Sequence, residues 1–449
     1  MNNYFKNITA NSISTIWAII FQLLSVPVFL SCWGATKYGE WIVLNSFVVF
    51  FQMSDIGINT ASLNSFVINF QKGNLEQCKK IFINSLVVIS LIFTVVLVVL
   101  LCFFKFPFYE KIFKFNYIKD DLLIQCLLLL FFYTYLGTII NALSSIYSAT
   151  GNYSRGIMLD NISKFTEGIT LILLVYFNIS LELILTAYLV LRFLFLVIKY
   201  LDSKKLYKID FNVKYFSFLE LKNIIIPSLA FFTIPISNTF IFQGFTLIVN
   251  YYFGPTSVVL YSTTRTLINM IKSLSDIIVK SIWPHISFAF AKNDFKFVRL
   301  YHSRILMYSL IIFSTSTIFI LLFSKTIYLH WTRGKSEFDI VLVCLLLVAM
   351  LGNLIQSSSS IILQATNQHS KYVIQYLFFN LIGLLTAFLI ARYVHILSFI
   401  PLGLIVPEFL LSLFVIKKTL FLTKDSINFL KKRLRIDYKY HYSLIKAKF

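Results

Sequence analysis

A chain of 449 residues with 58% hydrophobic and only 13% charged side chains has too little polar surface to cover a soluble globule of that size. The formal charge of +21 does not point to nucleic acid, because the Lys and Arg lie in short gaps between apolar runs and not on one water-exposed face. With a mean hydropathy of +0.79 the chain reads as an integral membrane protein, and a basic excess is then the ordinary result of cytoplasmic loops collecting Lys and Arg.

The sequence MNNYFKN leads into an apolar stretch too long for a signal-peptide core, so an uncleaved first helix is expected. A hydrocarbon core about 30 Å thick needs about 20 apolar residues of helix. In chain order such runs fall near 10–33, 41–70, 81–104, 122–146, 157–178 and 181–201. After a basic linker they resume near 223–253, 257–282, 303–326, 338–364, 372–392 and 396–417. The expected fold is therefore all-α, with about twelve transmembrane helices. An even number of spans puts both termini on one side. The linker bearing Lys204, Lys205, Lys208 and Lys214, the loop with Lys292, Lys296 and Arg299, and the KKRLR stretch at 431–435 make that side the cytoplasm. The tail also suits anionic headgroups.

Two landmarks recur at nearly the same displacement along the chain. Gly34-Ala-Thr-Lys-Tyr-Gly-Glu-Trp after span 1 aligns with Gly254-Pro-Thr-Ser-Val-Val-Leu-Tyr after span 7. IYSATGNYSRG (146–156) between spans 4 and 5 aligns with ILQATNQHSKY (362–372) between spans 10 and 11. The expected organisation is a six-helix bundle at 1–205, a cytoplasmic linker at 206–222, a second bundle at 223–417 and a basic tail at 418–449. The bundles are parallel repeats, and transporters so built bind substrate in a central cavity between the halves.

Residues three and four apart share a helix face. In span 8, Tyr261, Arg265, Asn269, Lys272 and Asp276 form one polar stripe; in span 2, Asn45, Gln52, Asp55 and Asn59 form another, and the two are expected to face each other. Arg265 lies roughly 12–15 Å into span 8, near the bilayer midplane. A cation there costs about 2.5–3.5 kcal/mol, so it needs a partner or water. Lys272 and Asp276 either line the same cavity or snorkel to the interface. In span 5, Asp160 and Lys164 are expected to neutralise each other, with Glu167 deeper. Arg192 in span 6 either lines the cavity or pairs with Asp160 or Glu167. Lys280 is a further in-span cation. His285, His302, His330, His369, His395 and His441 read as interfacial residues, and Trp33, Trp41, Trp283 and Trp331 as an aromatic belt. Cys32, Cys78, Cys102, Cys126 and Cys344 are scattered, which indicates neither a disulfide framework nor a metal site; no cofactor is expected.

The stretch WGATKYGEWIVLNSFVVFFQMSDIGI (33–58), with Gly34, Tyr38, Gly39, Trp41, Asp55 and Gly57, resembles the N-terminal signature of bacterial polysaccharide-repeat-unit (O-antigen-type) flippases, and the turns at 149 and 365 are similar to theirs. The resemblance covers the chain through loose motifs. It implies the superfamily shared by multidrug antiporters and lipid-linked oligosaccharide exporters, a bacterial inner membrane location, and movement of an undecaprenyl-diphosphate-linked oligosaccharide from the inner to the outer leaflet, with membrane lipids and other polysaccharide-assembly proteins as partners and no nucleic acid. Arg265, with Lys272 earlier in the path, would contact phosphate, since Arg presents forked donors to phosphate oxygens. Asn45, Gln52, Asn59, Tyr261 and Asn269 suit sugar hydroxyls, Arg192 is a further substrate-binding candidate, and Asp55 and Glu167 are the candidates for ion coupling. One rival is a drug or cation antiporter of the same superfamily, against which the midplane Arg265 argues. Another is a membrane polysaccharide polymerase, but no hydrolytic triad, P-loop or metal motif appears and the longest outer loop, about 105–121, is short. The chain is expected not to be an enzyme.

Overall fold

In a computed structural model, residues 2–105, 115–207, 213–217, 225, 228, 232, 235–365 and 370–435 are described. The side chains of Lys280, Trp283 and His285 lie outside the described set, as do Lys208, the second repeat turn at 366–369 with His369, the tail from 436 with His441, and most of 218–234. Among the described residues the secondary structure is helical throughout, with no strand.

The helices, in chain order, are α1 (Asn2–Gln52), α2 (Ile58–Gln71), α3 (Leu75–Phe103), α4 (Asp120–Ala149), α5 (Tyr153–Tyr176), α6 (Leu181–Leu206), α7 (Phe245–Phe253), α8 (Pro255–Ala291), α9 (Phe295–Trp331), α10 (Ile340–Ala365), α11 (Ser370–Leu389) and α12 (Leu402–Leu422). Spans 1 and 2 share α1, which breaks at Gly34, where φ is +72° and a side chain would be strained. Its repeat counterpart Gly254, at φ +82°, separates α7 from α8. The later helices repeat too: α4 ends at Ala149 and α10 at Ala365, α6 at Leu206 and α12 at Leu422, and the displacement within each pair is identical. Eight segments are long and apolar enough to cross a membrane by length and composition, one of them, Ile13–Asp55, covering two expected spans. The spans outside that set are α5 and α8, which carry the charged residues discussed below, and the partly described span ending in α7.

Two compact units are distinguished. The first comprises Met1–Thr239, Phe253–Val259 and Trp331–Ser336, the second Phe240–Tyr252, Leu260–His330 and Glu337–Phe449. In the first, α1 packs on α4 and α5, and α4 on α6, around a core that includes Phe29, Leu30, Leu44, Phe93 and Leu127. Trp33 and Trp41 belong to this core, 8% and 6% exposed and in edge-on contact at 5.8 Å; the expected place in an interfacial belt is corrected, because Phe29 and Tyr38 enclose them. Glu40 is fully buried beside them. Its Oε1 accepts the backbone N–H of Asn116 (2.6 Å) and Tyr117 (3.1 Å), and its Oε2 those of Tyr117 (3.2 Å) and Ile118 (3.1 Å). One carboxylate thus satisfies loop backbone that has no helix of its own to bond with.

In the second unit α12 packs against α10 and α11. A Cβ on Gly383 would stand 2.5 Å from the Gly403 carbonyl oxygen, and one on Gly403 2.6 Å from that of Gly383, so the backbones of α11 and α12 meet through two glycines. His302 is fully buried with Nε2 3.0 Å from Ser359 Oγ; its expected interfacial role is corrected, since α9 turns it inward onto α10. The start of the tail is also placed: residues 427–435 are helical, Leu430 and Leu434 pack with Leu306 and Leu420, and Arg433 pairs with Asp425. Outward faces of α3, α9 and α12 carry Val95, Leu322 and Leu413, more than 60% exposed, as a lipid-facing surface requires.

Glu40→Gln replaces an ionised double acceptor with an amide that turns a donor toward N–H groups. It is expected to lower stability by about 2–3 kcal/mol, read as a drop in the thermal unfolding midpoint of the detergent-purified protein. Gly383→Ala is expected to cost about 1–3 kcal/mol by forcing α11 and α12 apart, with the same readout.

Candidate functional site

Each unit has a cavity of its own that charged side chains line. In the first unit a cavity of about 460 Å³ is lined by Gln52, Asp55, Asn141, Asp160, Lys164 and Arg192, among others. The expected continuous stripe on span 2 is corrected here. The helix stops at Gln52, Met53–Asp55 form a 3₁₀ turn, Ile56 and Gly57 take left-handed conformations, and α2 begins at Ile58. Gln52 and Asp55 still reach the cavity, but Asn45 and Asn59 are spent elsewhere. Asn45 Nδ2 donates to the Trp41 carbonyl of its own helix (2.9 Å), and Asn59 Nδ2 donates to the Thr138 carbonyl on α4 (3.1 Å). Asp55 Oδ1 accepts the backbone N–H of Asn59 at 3.0 Å, satisfying one orphan donor of the first turn of α2.

The charges of α5 and α6 pair across the helices and not along them. Asp160 does not neutralise Lys164. It takes Lys199 of α6 at 2.6 Å, a lysine only 2% exposed whose ammonium also donates to Ser144 Oγ at 2.9 Å. Among the described residues Lys164 has no carboxylate within ion-pair distance and its side chain is exposed. Arg192 pairs with Glu167: Nη1 lies 3.3 Å from Oε1, Nη2 donates to the Tyr133 hydroxyl, and that hydroxyl donates to Glu167 Oε2 at 2.9 Å. Ser163 Oγ adds a further bond to Oε1 at 3.0 Å, and the guanidinium sits 4.2 Å from the Tyr133 ring centre. Glu167, 5% exposed, is saturated with donors. A buried pair this well satisfied holds α4, α5 and α6 in register and has little left for an ion.

α8 runs unbroken from Pro255 to Ala291, and from Leu260 on it belongs to the second unit, so Tyr261, Arg265, Asn269, Lys272 and Asp276 share one helix. Arg265 Nη1 donates to the Phe242 carbonyl (2.9 Å), and the guanidinium lies 5.1 Å from the Phe242 ring centre and 5.2 Å from that of Tyr261. Phe242 stands in the π-helical turn Phe240–Gly244, and its carbonyl also accepts Thr246 Oγ1 at 2.9 Å. Tyr261 is fully buried, with its ring against the Arg265 guanidinium and outside the cavity lining. Arg265, Asn269 and Lys272 line a cavity of about 50 Å³ together with Asn353, Tyr376 and Glu408, while Asp276 lies outside that lining. Glu408 is 5% exposed and its Oε1 accepts Asn353 Nδ2 at 2.9 Å. Among the described residues Arg265 and Lys272 have no carboxylate within ion-pair distance, and no group of His, Cys, Asp and Glu could hold a metal. The five cysteines are free.

Sequence reasoning missed Lys199, which sits at the end of its apolar run and looked cytoplasmic, and Tyr133 and Asn353, which carry no charge. It also passed over the relation between Arg192 and Glu408. Their displacement is the one that carries Ala149 onto Ala365, so they are repeat equivalents. The same displacement matches Tyr133 with Ala349, Gly137 with Asn353 and Asp160 with Tyr376, and the one that carries Gly34 onto Gly254 matches Gln52 with Lys272. All of these cavity-side residues line the two cavities.

No protein-family model and no curated protein matches the chain. Solved structures do. An inward-facing multidrug resistance MATE-family transporter of the MOP superfamily aligns with TM-score 0.69 at 15% identity, over 94% of this chain and 99% of that one. A MOP-superfamily transporter from Pyrococcus furiosus, described as having a binding pocket of reversed polarity, aligns with TM-score 0.62 at 14% identity, over 94% of each chain. The lipid II flippase MurJ in an inward closed conformation aligns with TM-score 0.64 at 15% identity, over 98% of this chain and 92% of that one. The fold is accordingly that of the MOP-superfamily transporters, all-α with two bundles of six helices.

Proposed function

We propose that the protein is a flippase that carries an undecaprenyl-diphosphate-linked oligosaccharide, of the kind polymerised into O-antigen-like polysaccharide, from the inner to the outer leaflet of a bacterial cytoplasmic membrane by alternating access, with both termini cytoplasmic. The observation that carries this reading is Arg265. It is a cation on α8 held by a backbone carbonyl and set beside two aromatic rings, next to Lys272 and a cavity. With no carboxylate at ion-pair distance among the described residues, it keeps donors for an anionic ligand. A diphosphate supplies one, and a guanidinium with N–H groups to spare binds it by charge-assisted, forked hydrogen bonds. Asn269 beside it suits a hydroxyl of a saccharide. The likeness to a lipid II flippase supports the same substrate class.

Export of organic cations is the rival reading, and the MATE neighbours share the fold. That chemistry needs an uncommitted acid facing the cavity. In the first unit Asp160 holds Lys199, Glu167 is saturated by Arg192, Tyr133 and Ser163, and Asp55 commits Oδ1 to α2; in the second, Glu408 shares its cavity with Arg265 and Lys272, which disfavours an organic cation there. Glu167 accordingly loses force as an ion-coupling group.

Arg265→Ala removes one charge-assisted interaction, about 1.5–3 kcal/mol, and is expected to slow translocation by about tenfold to a hundredfold. Arg265→Lys, which keeps the charge and loses the fork, should recover part of it. The check is the rate at which lipid-linked oligosaccharide becomes accessible on the far leaflet of proteoliposomes, with insertion and thermal stability measured alongside. Wild-type rates in the Ala variant would remove Arg265 from the path.

A further inference from the structure

Position 408 differs from its repeat equivalent in one respect that matters physically. Arg192 in the first unit has its counter-charge built in: Glu167, one helix away on α5, is within ion-pair distance. The repeat equivalent of Glu167 is Gly383, on α11, pressed against Gly403 and Pro407 with no room for a side chain. Among the described residues Glu408 therefore has no partner of the kind Arg192 has. Its Oε1 is held by Asn353, and its Oε2, with almost no accessible surface, meets no donor among them. That oxygen belongs to a residue lining the cavity of about 50 Å³, room for a few water molecules, that Arg265 and Lys272 also line. Lys272 of α8 is the cation within electrostatic reach, Asn353 of α10 is neutral, and the titratable groups of α11 that sense the carboxylate are Tyr372 and Tyr376.

We infer that Glu408 is a proton-binding site that gates an anion subsite formed by Arg265 and Lys272. The inference rests on the anionic-substrate reading above. With Glu408 ionised, its charge offsets that of Lys272 and repels a phosphoryl group entering the cavity that Arg265 also lines. When Oε2 takes a proton from the cavity water, the carboxyl becomes neutral and both cations are free to bind the anion. One proton is bound per anion bound, and by linkage the anion in turn favours protonation. Asn353 positions the carboxyl by fixing Oε1, which leaves Oε2 as the oxygen that titrates.

The test uses the full-length protein in detergent and a farnesyl-diphosphate-linked monosaccharide, a diester whose phosphates stay ionised across the neutral range, so that only the protein titrates. Wild-type affinity is expected to weaken by up to about tenfold per pH unit once Glu408 ionises, the slope for one linked proton. Glu408→Gln is expected to bind at the low-pH affinity throughout, with no slope, and Glu408→Asp to restore a slope. Calorimetry of the wild type in two buffers of different ionisation enthalpy should show proton uptake on binding, a readout that stands even if the Gln variant unfolds. Binding that needs Arg265 but is parallel in wild type and Glu408→Gln, or that takes up no proton, overturns the gate and leaves the flippase reading in place. Binding that is indifferent to Arg265→Ala overturns both.

Discussion

A charge inside a hydrocarbon core must be answered by something, and the something decides what the charge can do. Water is absent from the lipid-facing surface, so each buried ion in this chain is met by a counter-ion, a backbone dipole, an aromatic face or a hydrated cavity. Glu40 is met by backbone N–H groups and becomes a clamp on a loop. Lys199 is met by Asp160 and Ser144 and becomes a pin between α5 and α6. Arg265 is met by one carbonyl and two rings, which hold it in place without neutralising it. Of the three, Arg265 lines a cavity where a ligand could meet it.

The two repeats answer the same constraint in opposite ways. At one position of the last helix of each repeat stand Arg192 and Glu408. The first unit closes its charge internally through Glu167, Tyr133 and Ser163, and the cavity it faces is large and mixed in sign. The second leaves its acid with one free oxygen beside a far smaller cavity that two cations also line. The two cavities are lined at repeat-equivalent positions by different residues, Gln52 and Lys272 or Gly137 and Asn353 among them.

Much of this was legible in the sequence because it rests on period and length. Apolar runs marked out the helices, Gly34 and Gly254 marked the kinks through the one residue that takes positive φ freely, and the 4-4-3-4 spacing from Tyr261 to Asp276 survived because nothing interrupts α8. The stripe on span 2 failed because MSDIG reads as helix by pattern. The break depends on Ile56 adopting a left-handed conformation, which a β-branched residue rarely does and which only tertiary packing can impose. Charge pairing failed in the same manner. Asp160 and Lys164 are neighbours by sequence spacing, yet Lys199 is fully buried and cannot be left unpaired, so the greater desolvation cost claims the acid. Trp33, Trp41 and His302 were misplaced because proximity to a span end says nothing about which way a side chain turns.

Packing and electrostatics meet at Gly383. Close approach of α11 and α12 needs a residue without a side chain on each helix, and Gly383 and Gly403 provide it with their backbones in mutual contact. The position that in the first repeat carries the balancing acid is thereby consumed by the helix crossing in the second. Restoring a charged side chain at 383 would separate the helices before it could reach residue 408. The tight crossing and the unsatisfied carboxylate are therefore consequences of one substitution: what brings α12 close enough to present Glu408 to the cavity also removes the partner that would have silenced it.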